Sequence, residues 1–271
     1  MSVLAEISIE AWSAWAPGLS SREAWLNWAR IGSCRLPEES LERPPVQFMP
    51  PMLRRRCGDG ARAALAVAYA CLKPDDRMSL PVVFASRHGE AQTTLSILQS
   101  LAKAEPLSPM DFSLSVHNAS SGIFSIATGN TAPASAIAAR RGIVAAGFLE
   151  GLSQTRSRGG SRFLCVFQEE PVPSQFLSPS QYYPELFGLA LLCRETDANS
   201  DRFALVEQVS SWAMESVPEE VEALSFLKWW LAGEAARFEL THSLGLLRVA
   251  SRAKAAAQTH SEFVEPGTAR T

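Results

Sequence analysis

The side chains best suited to chemistry are five cysteines and four histidines, because a thiolate is a strong nucleophile and an imidazole carries protons near neutral pH. The cysteines are Cys34, Cys57, Cys71, Cys165 and Cys193, and the histidines are His88, His117, His242 and His260. An odd number of widely spaced cysteines without a CxxC pair argues against a disulfide framework and a zinc site. Because Cys71, Cys165 and Cys193 lie in apolar runs, we expect buried thiols there.

Other catalytic patterns are weak or missing in the sequence. Ser86, His88 and Glu90 are close along the chain, but a serine triad is defined by geometry and not by adjacency. The sequence has no G-x-S-x-G elbow, no Walker loop and no G-x-G-x-x-G motif. We therefore predict neither a metal nor a cofactor, and we expect each histidine to serve mainly as a structural hydrogen-bonding group.

The composition is that of an ordinary globular protein, with 46% hydrophobic and 20% charged residues. A net charge of −3 argues against a general nucleic-acid binder. The one basic run, Arg54-Arg55-Arg56, fits either a solvated helix start or a contact for an anionic partner.

The longest apolar run, residues 63–72, is about half of the roughly 20 residues that a membrane span requires. With no basic segment before an apolar stretch at the N-terminus, the sequence predicts a cytoplasmic protein without an integral membrane segment.

Strands and helices alternate in the predicted secondary structure. We expect strands at 3–10, 80–86, 134–138, 162–167, 187–193 and 203–209, and helices at 52–72, 90–104, 143–152 and 218–232. The pairs Trp12/Trp15 and Trp25/Trp28 have the i,i+3 spacing of residues that share a helix face. The alternation predicts an α/β fold with a mixed, largely parallel sheet and helices on both faces. We assign residues 1–250 to one domain and 251–271 to a loose C-terminal tail.

Three segments carry a family resemblance: ASRHGE (85–90), EPLSPMDFSLSVHNASSG (105–122) and NTAPASAIAARRGIVAAGFLEG (130–151). In this order they resemble the N-terminal half of a β-ketoacyl synthase, which has a thiolase-like fold. The opening W-x-x-W-A-P-G-L, residues 12–19, is similar to that of short β-ketoacyl-synthase-like proteins found beside aryl-polyene and related fatty-acid-type synthases. The resemblance covers roughly residues 1–250.

The resemblance implies where a nucleophile should lie. In the family a cysteine begins a buried helix, where the helix dipole lowers the thiol pKa and backbone N–H groups stabilise the oxyanion. That position falls within residues 138–142, at about Arg140, with Ala139 and Arg141 as alternatives. None of these is cysteine or serine, and a guanidinium group has no lone pair with which to attack a thioester. The two histidines that assist decarboxylation come from the family's second half, which no segment here resembles.

A non-catalytic partner subunit is therefore the main hypothesis. Condensing enzymes are dimers joined through the strand before the nucleophile, and an inactive subunit, called a chain-length factor, can shape the partner's acyl tunnel. We expect a heterodimer with an active ketosynthase, and contact with an acyl carrier protein through Arg54, Arg55 and Arg56. The predicted interface or tunnel residues are Met110, Phe112, Leu114, His117, Asn118, Ala134 and Ala136.

Three alternatives remain open at this point. Met110, Phe112 and Leu114 could simply fill the chain's own core. The chain could be a stand-alone acyl-thioester enzyme that uses His117 or Cys165. It could also be a carrier-protein docking or scaffold module without a tunnel role.

Overall fold

The helices and strands of the computed structural model follow the predicted alternation, with several changes in their limits. The structure describes residues 2–31, 34–37, 42–139, 141–176, 185–195, 202–208, 221–232, 237–242, 245–251 and 262–266. The strands are β1 (Ser2–Trp15), β2 (Val82–Ala85), β3 (Ala134–Ile137), β4 (Arg162–Glu169), β5 (Phe187–Glu195), β6 (Arg202–Gln208), β7 (Arg237–His242), β8 (Gly245–Ser251) and β9 (Glu262–Phe263). The helices are α1 (Arg22–Arg30), α2 (Pro51–Arg56), α3 (Asp59–Cys71), α4 (Pro74–Ser79), α5 (Ala91–Ala102), α6 (Pro109–Ser115), α7 (Ala119–Thr128), α8 (Ile143–Arg156) and α9 (Glu222–Ala232).

The strands form one mixed sheet in the order β3-β2-β4-β5-β1-β6-β8-β7, with β9 beside β1. Strand β2 is parallel to β3 and β4, and β9 is parallel to β1. The other neighbouring strands are antiparallel. The mixed α/β sheet is thus confirmed, and its parallel pairs are β3–β2, β2–β4 and β1–β9. Parallel pairing needs a long crossover, and only two residues separate β7 from β8.

Both faces of the sheet are covered by helices, as predicted. One core cluster joins α1, α8 and α9 to one face, and the other joins α3 and α7 to the opposite face. Trp12 belongs to the first cluster and Trp15 to the second, because both lie on β1 and an odd spacing along a strand reverses the face. The expectation of a shared helix face is therefore wrong for this pair. Trp25 and Trp28 do share α1, with ring centroids 5.2 Å apart.

The predicted helix 52–72 is divided into α2 and α3 at Cys57 and Gly58. The alanine-rich α3 lies directly against the sheet, where the backbone of β5 approaches it closely. A Cβ on Gly188 would lie 2.6 Å from the Ala63 carbonyl oxygen, so only glycine fits at this point of β5. Small residues on α3 allow this close packing of helix and strand.

The C-terminal part of the chain differs most from expectation. The hairpin of β7 and β8 was not predicted, and part of the expected helix at 218–232 lies outside the described residues. Within the expected loose tail, Glu262 and Phe263 pair with Ala11 and Trp12, so these residues extend the sheet. Phe263 packs its ring 4.5 Å from that of Trp12, which gives this polar segment an apolar anchor.

Among the described residues, no helix is both long enough and apolar enough to cross a membrane.

Candidate functional site

The junction between β3 and α8 is where the resemblance places a nucleophile. Strand β3 ends at Ile137, and α8 begins at Ile143 after Gly142, whose φ of 70° is left-handed. Arg140, the predicted position, lies outside the described residues. The described residues of the junction are Ala138, Ala139, Arg141 and Gly142, and none of them carries sulfur or hydroxyl. A strand, a turn and a buried helix are therefore present where the resemblance places them, and the described residues of the turn include no nucleophile.

A carboxylate from a distant helix occupies the N-terminus of α8. Glu222, the first residue of α9, accepts a hydrogen bond from the Ile143 N–H at 3.0 Å. Burial raises the pKa of Glu222 to about 7, and the backbone N–H groups of Ile143, Gly142 and Val144 oppose this rise by stabilising the charged form. The sequence analysis missed Glu222, because nothing in its local sequence indicates that it meets a helix end 79 residues away.

Cys165 and Cys193 lie on strands β4 and β5, and not at this helix end. Cys165 is completely buried on β4, and its Sγ donates to the Gly147 carbonyl oxygen at 3.3 Å, which is more than one turn into α8. Burial raises the pKa of Cys193 well above its ordinary value, so this thiol remains protonated. The prediction of buried thiols at Cys71, Cys165 and Cys193 is confirmed, and the structure shows none of the five cysteines in a disulfide bond.

His117 links two of the resemblance segments to the end of β3. Its Nε2 lies 2.8 Å from the Ile137 carbonyl oxygen, so this nitrogen carries the hydrogen and donates it. A Cβ on Gly89, where φ is 58°, would lie 2.5 Å from His117 Nδ1, so glycine is required in this turn. The ring therefore holds β3 against the ASRHGE turn, which is a structural role.

A buried carboxylate network supports the same turn. Glu169 accepts hydrogen bonds from the Arg87 N–H and the Ser86 hydroxyl, and Glu90 accepts one from the Ser120 hydroxyl. Burial raises the pKa values of Glu90 and Glu169 to about 7. The Ser86 hydroxyl thus donates a hydrogen bond to Glu169 and accepts one from the Gly89 N–H, an arrangement that orders the turn.

The other histidines lie elsewhere in the chain, and His88 is in the ASRHGE turn. Burial and the nearby Arg87 charge lower the pKa of His88, which lies half-buried in the turn. His242 lies on β7, and His260 is outside the described residues. No cluster of three or more metal-ligating side chains occurs in the part of the chain that the structure describes.

Next to β3 lies a group of exposed apolar side chains, which we call the apolar face. It contains seven of the eleven large hydrophobic residues that are exposed in the described structure: Leu98, Leu101, Leu107, Met110, Phe112, Val116 and Ile126. They lie on α5, α6, α7 and the connections between these helices, and neither α5 nor α6 has a fully buried residue. Helix α7 contacts β3, which is the terminal strand of the described sheet.

The predicted interface residues divide between this surface and the core. Met110 is 44% exposed and Phe112 is 62% exposed, so neither fills the chain's own core. Leu114 is half-buried and packs against the cluster around α3, as a core residue would. The remaining predicted interface residues lie around β3: Asn118 and Ala134 are exposed, and His117 and Ala136 are half-buried.

The predicted carrier-protein contact lies on a separate helix. Arg54, Arg55 and Arg56 form the last turn of α2, where cations are favoured by the helix dipole, so they end a helix and do not start one. Arg55 and Arg56 are exposed, and Arg54 is half-buried. The ion pairs of the described residues involve other arginines, Arg156, Arg162 and Arg194.

Comparison with known proteins identifies the family of the chain and agrees with its fold. The family described as "Beta-ketoacyl synthase, N-terminal domain" matches residues 25–244. The structure of a ketosynthase (ApeO) in complex with its chain length factor (ApeC) from Xenorhabdus doucetiae is similar with a TM-score of 0.76 and 28% identity. That match covers 90% of this chain and 98% of the matched chain. A search of curated proteins found no match.

Two longer structures share the fold at low identity. The ishigamide ketosynthase/chain length factor has a TM-score of 0.56 and 14% identity, over 74% of this chain and 65% of its own. A β-ketoacyl synthase from Burkholderia phymatum has a TM-score of 0.51 and 13% identity, over 72% of this chain and 60% of its own. Together with the similarity to the ApeO–ApeC structure, they confirm the predicted thiolase-like fold. Because the family match extends over most of its length, the chain belongs to the family of β-ketoacyl synthase N-terminal domains.

Proposed function

We propose that this chain is a non-catalytic subunit that pairs with an active β-ketoacyl synthase and acts as its chain-length factor in polyene or fatty-acid-type biosynthesis. The observation that carries the proposal is the apolar face beside β3. Monomeric proteins rarely expose so many large hydrophobic side chains together, and such a patch marks a binding surface. Its position next to the strand before the nucleophile turn favours a second synthase-like subunit as the occupant.

The β3–α8 junction supports a non-catalytic role. The described junction residues offer no group that could attack a thioester, and the helix end that would activate such a group binds Glu222. A stand-alone enzyme using His117 or Cys165 fits less well. The His117 ring is engaged with Ile137, and Cys165 is completely buried.

The similarity to the ApeO–ApeC structure supports pairing. The alignment covers 90% of this chain and 98% of the matched chain, so the two chains have nearly the same length. The longer structures described above are covered only to 60–65%. A short synthase-like chain in a complex of ketosynthase and chain length factor is the arrangement that we propose here.

Reconstitution tests the proposal. The chain is co-expressed with candidate synthases that retain the nucleophilic cysteine, and the purified complex is supplied with acyl carrier protein and malonyl units. We expect product only when the synthase is present, and a longer or shorter product distribution by mass spectrometry when Phe112→Ala replaces the wild-type chain. Phe112 is the most exposed aromatic residue of the apolar face, so it is placed to form part of the partner's tunnel wall.

Two results would contradict this role. Turnover by the purified chain alone, abolished by Cys165→Ala or His117→Ala, favours the stand-alone enzyme. An unchanged product distribution with both Phe112→Ala and Met110→Trp, in complexes that still assemble, removes the tunnel role.

A docking role for α2 is a second candidate, favoured by its three adjacent arginines. Carrier proteins are acidic, so opposite charges should speed and strengthen the encounter. We expect the triple variant Arg54→Ala/Arg55→Ala/Arg56→Ala to bind carrier protein more weakly and with less dependence on salt. Titration at low and high ionic strength measures both effects. If wild type and the triple variant bind carrier protein with equal affinity and equal salt dependence, the arginines do not contact the carrier protein and only end helix α2 in solvent.

A further inference from the structure

We propose that Glu222 is an internal plug that closes this subunit's own condensing centre by holding its carboxylate in the N-terminus of α8. A synthase uses the corresponding helix end to stabilise thiolate and oxyanion charge. Here an anion belonging to the same chain is already bound there. The inference concerns the free chain, and it does not depend on which synthase the chain binds.

The N–H groups in the first turn of any α-helix have no partner within the helix, and they carry the positive end of the helix dipole. In α8 this end is used by Glu222, which accepts the Ile143 N–H at 3.0 Å. The N–H groups of Gly142 and Val144 also favour its charged form. Gly142, with a left-handed φ of 70°, is the residue that precedes this first turn.

The plug is held in place by apolar packing. Phe226 of α9 lies 5.5 Å from Phe148 of α8 and 5.9 Å from Phe238 of β7, measured between ring centroids. Trp229 lies 5.5 Å from Phe238. Phe226 is fully buried, so α9 cannot leave α8 without exposing aromatic surface. The carboxylate is thus delivered by a helix that is part of the core.

Occupation of the helix end has a consequence for a heterodimer, which rests on the proposed function. An acyl thioester cannot use the Ile143 N–H for its developing negative charge while Glu222 accepts that hydrogen bond. Above the Glu222 pKa of about 7, repulsion between like charges adds to this effect. The plug therefore confines condensation to the partner's centre.

Chemical rescue tests the plug in the free chain. Glu222→Ala leaves a space at the helix end that fits a small carboxylate, whereas Glu222→Gln fills it with a neutral group of the same shape. The measurement is made at about pH 8, where formate is ionised, with sodium chloride at equal ionic strength as the control. We expect the Tm of Glu222→Ala to be about 2 °C or more higher in sodium formate than in sodium chloride. Wild type, Glu222→Gln and Glu150→Ala, which removes a half-buried carboxylate elsewhere on α8, should show no such difference.

Hydrogen exchange provides a second measurement with a variant that keeps the volume of the side chain. In Glu222→Gln, we expect faster exchange in the peptide that contains Ile143 and Val144, with unchanged exchange in β4. The plug is rejected if formate affects all variants equally, or if exchange at the start of α8 is unchanged in Glu222→Gln. Neither readout involves a synthase, so failure here is distinct from failure of the pairing experiment.

Discussion

A chain carrying both Phe112→Glu and Ile126→Glu should no longer co-purify with its partner synthase. These side chains are 62% and 71% exposed in the free chain, and in the proposed complex they become buried. An unpaired carboxylate buried in an apolar interface costs several kcal/mol, and about 1.4 kcal/mol corresponds to a tenfold loss of affinity. We expect the dissociation constant to rise by about a hundredfold or more, measured by size-exclusion chromatography and by titration of labelled chain.

Ile31→Glu is the matched control for this experiment. Ile31 is 59% exposed and lies at the end of α1, away from α5, α6 and α7. The control variant should bind the synthase like wild type, and all variants should show the same circular dichroism and nearly the same Tm, because every substituted side chain is exposed. If the double variant binds normally, the apolar face is not the pairing surface.

The free energy of unfolding should fall as the pH rises from about 5 to about 8, in contrast to proteins whose carboxylates are stabilised in the folded state. Burial raises the pKa values of Glu90, Glu169 and Glu222 to about 7. Because the folded chain holds these protons more tightly than the unfolded chain, their contribution to stability is fully present below the unfolded pKa near 4.5. It is lost as the pH rises through the folded pKa near 7.

The size of this effect follows from the three groups together. Each pKa unit corresponds to about 1.4 kcal/mol, so a combined loss of at least about 3 kcal/mol is expected. His88 opposes it, because burial lowers the pKa of His88 and a neutral buried imidazole gains stability as the pH rises. One histidine does not offset three carboxyl groups. Urea unfolding at a series of pH values measures the slope.

Glutamine variants identify the carboxyl groups responsible. Glu90→Gln and Glu169→Gln should each flatten the dependence on pH, because an amide does not titrate. Glu105→Gln, at an exposed position, serves as the control and should leave the slope unchanged. A stability that rises steadily across this range, or a slope that survives both buried substitutions, would show that these carboxyl groups do not govern it.

Between residues 80 and 169, strands β2, β3 and β4 and helices α5 and α8 could be predicted because their patterns are local, whereas α6 and α7 were not predicted. Short apolar runs bounded by proline and glycine indicated the strands at 80–86, 134–138 and 162–167, and β2, β3 and β4 lie there. The helix expected at 143–152 is α8, extended to Arg156. The same segment carries the motifs of the family resemblance, and in the structure the turn at Gly89 lies against the ring of His117.

Elsewhere the local pattern was ambiguous. A spacing of three residues fits one helix face, but on a strand it places Trp12 and Trp15 on opposite faces of the sheet. Strand β1 pairs with β5 and β6, which are nearly two hundred residues away in sequence. The local sequence pattern does not indicate such distant pairing. The pairing of Phe263 with Trp12 is more distant still in sequence, and the small, polar residues of the C-terminal segment gave no local sign of it.

The amino-acid sequence by itself determined the family and the absence of a thiol or hydroxyl group at residues 138–142, because both depend only on which residues occupy a short stretch of chain. The tertiary structure decided what replaces the nucleophile and which side chains can reach a partner. Glu222 meets α8 only because buried aromatic rings dock α9 there, and Phe112 faces outward while Leu114 faces the core. Packing between distant segments controls both outcomes, since burial and charge at a site depend on every element that surrounds it.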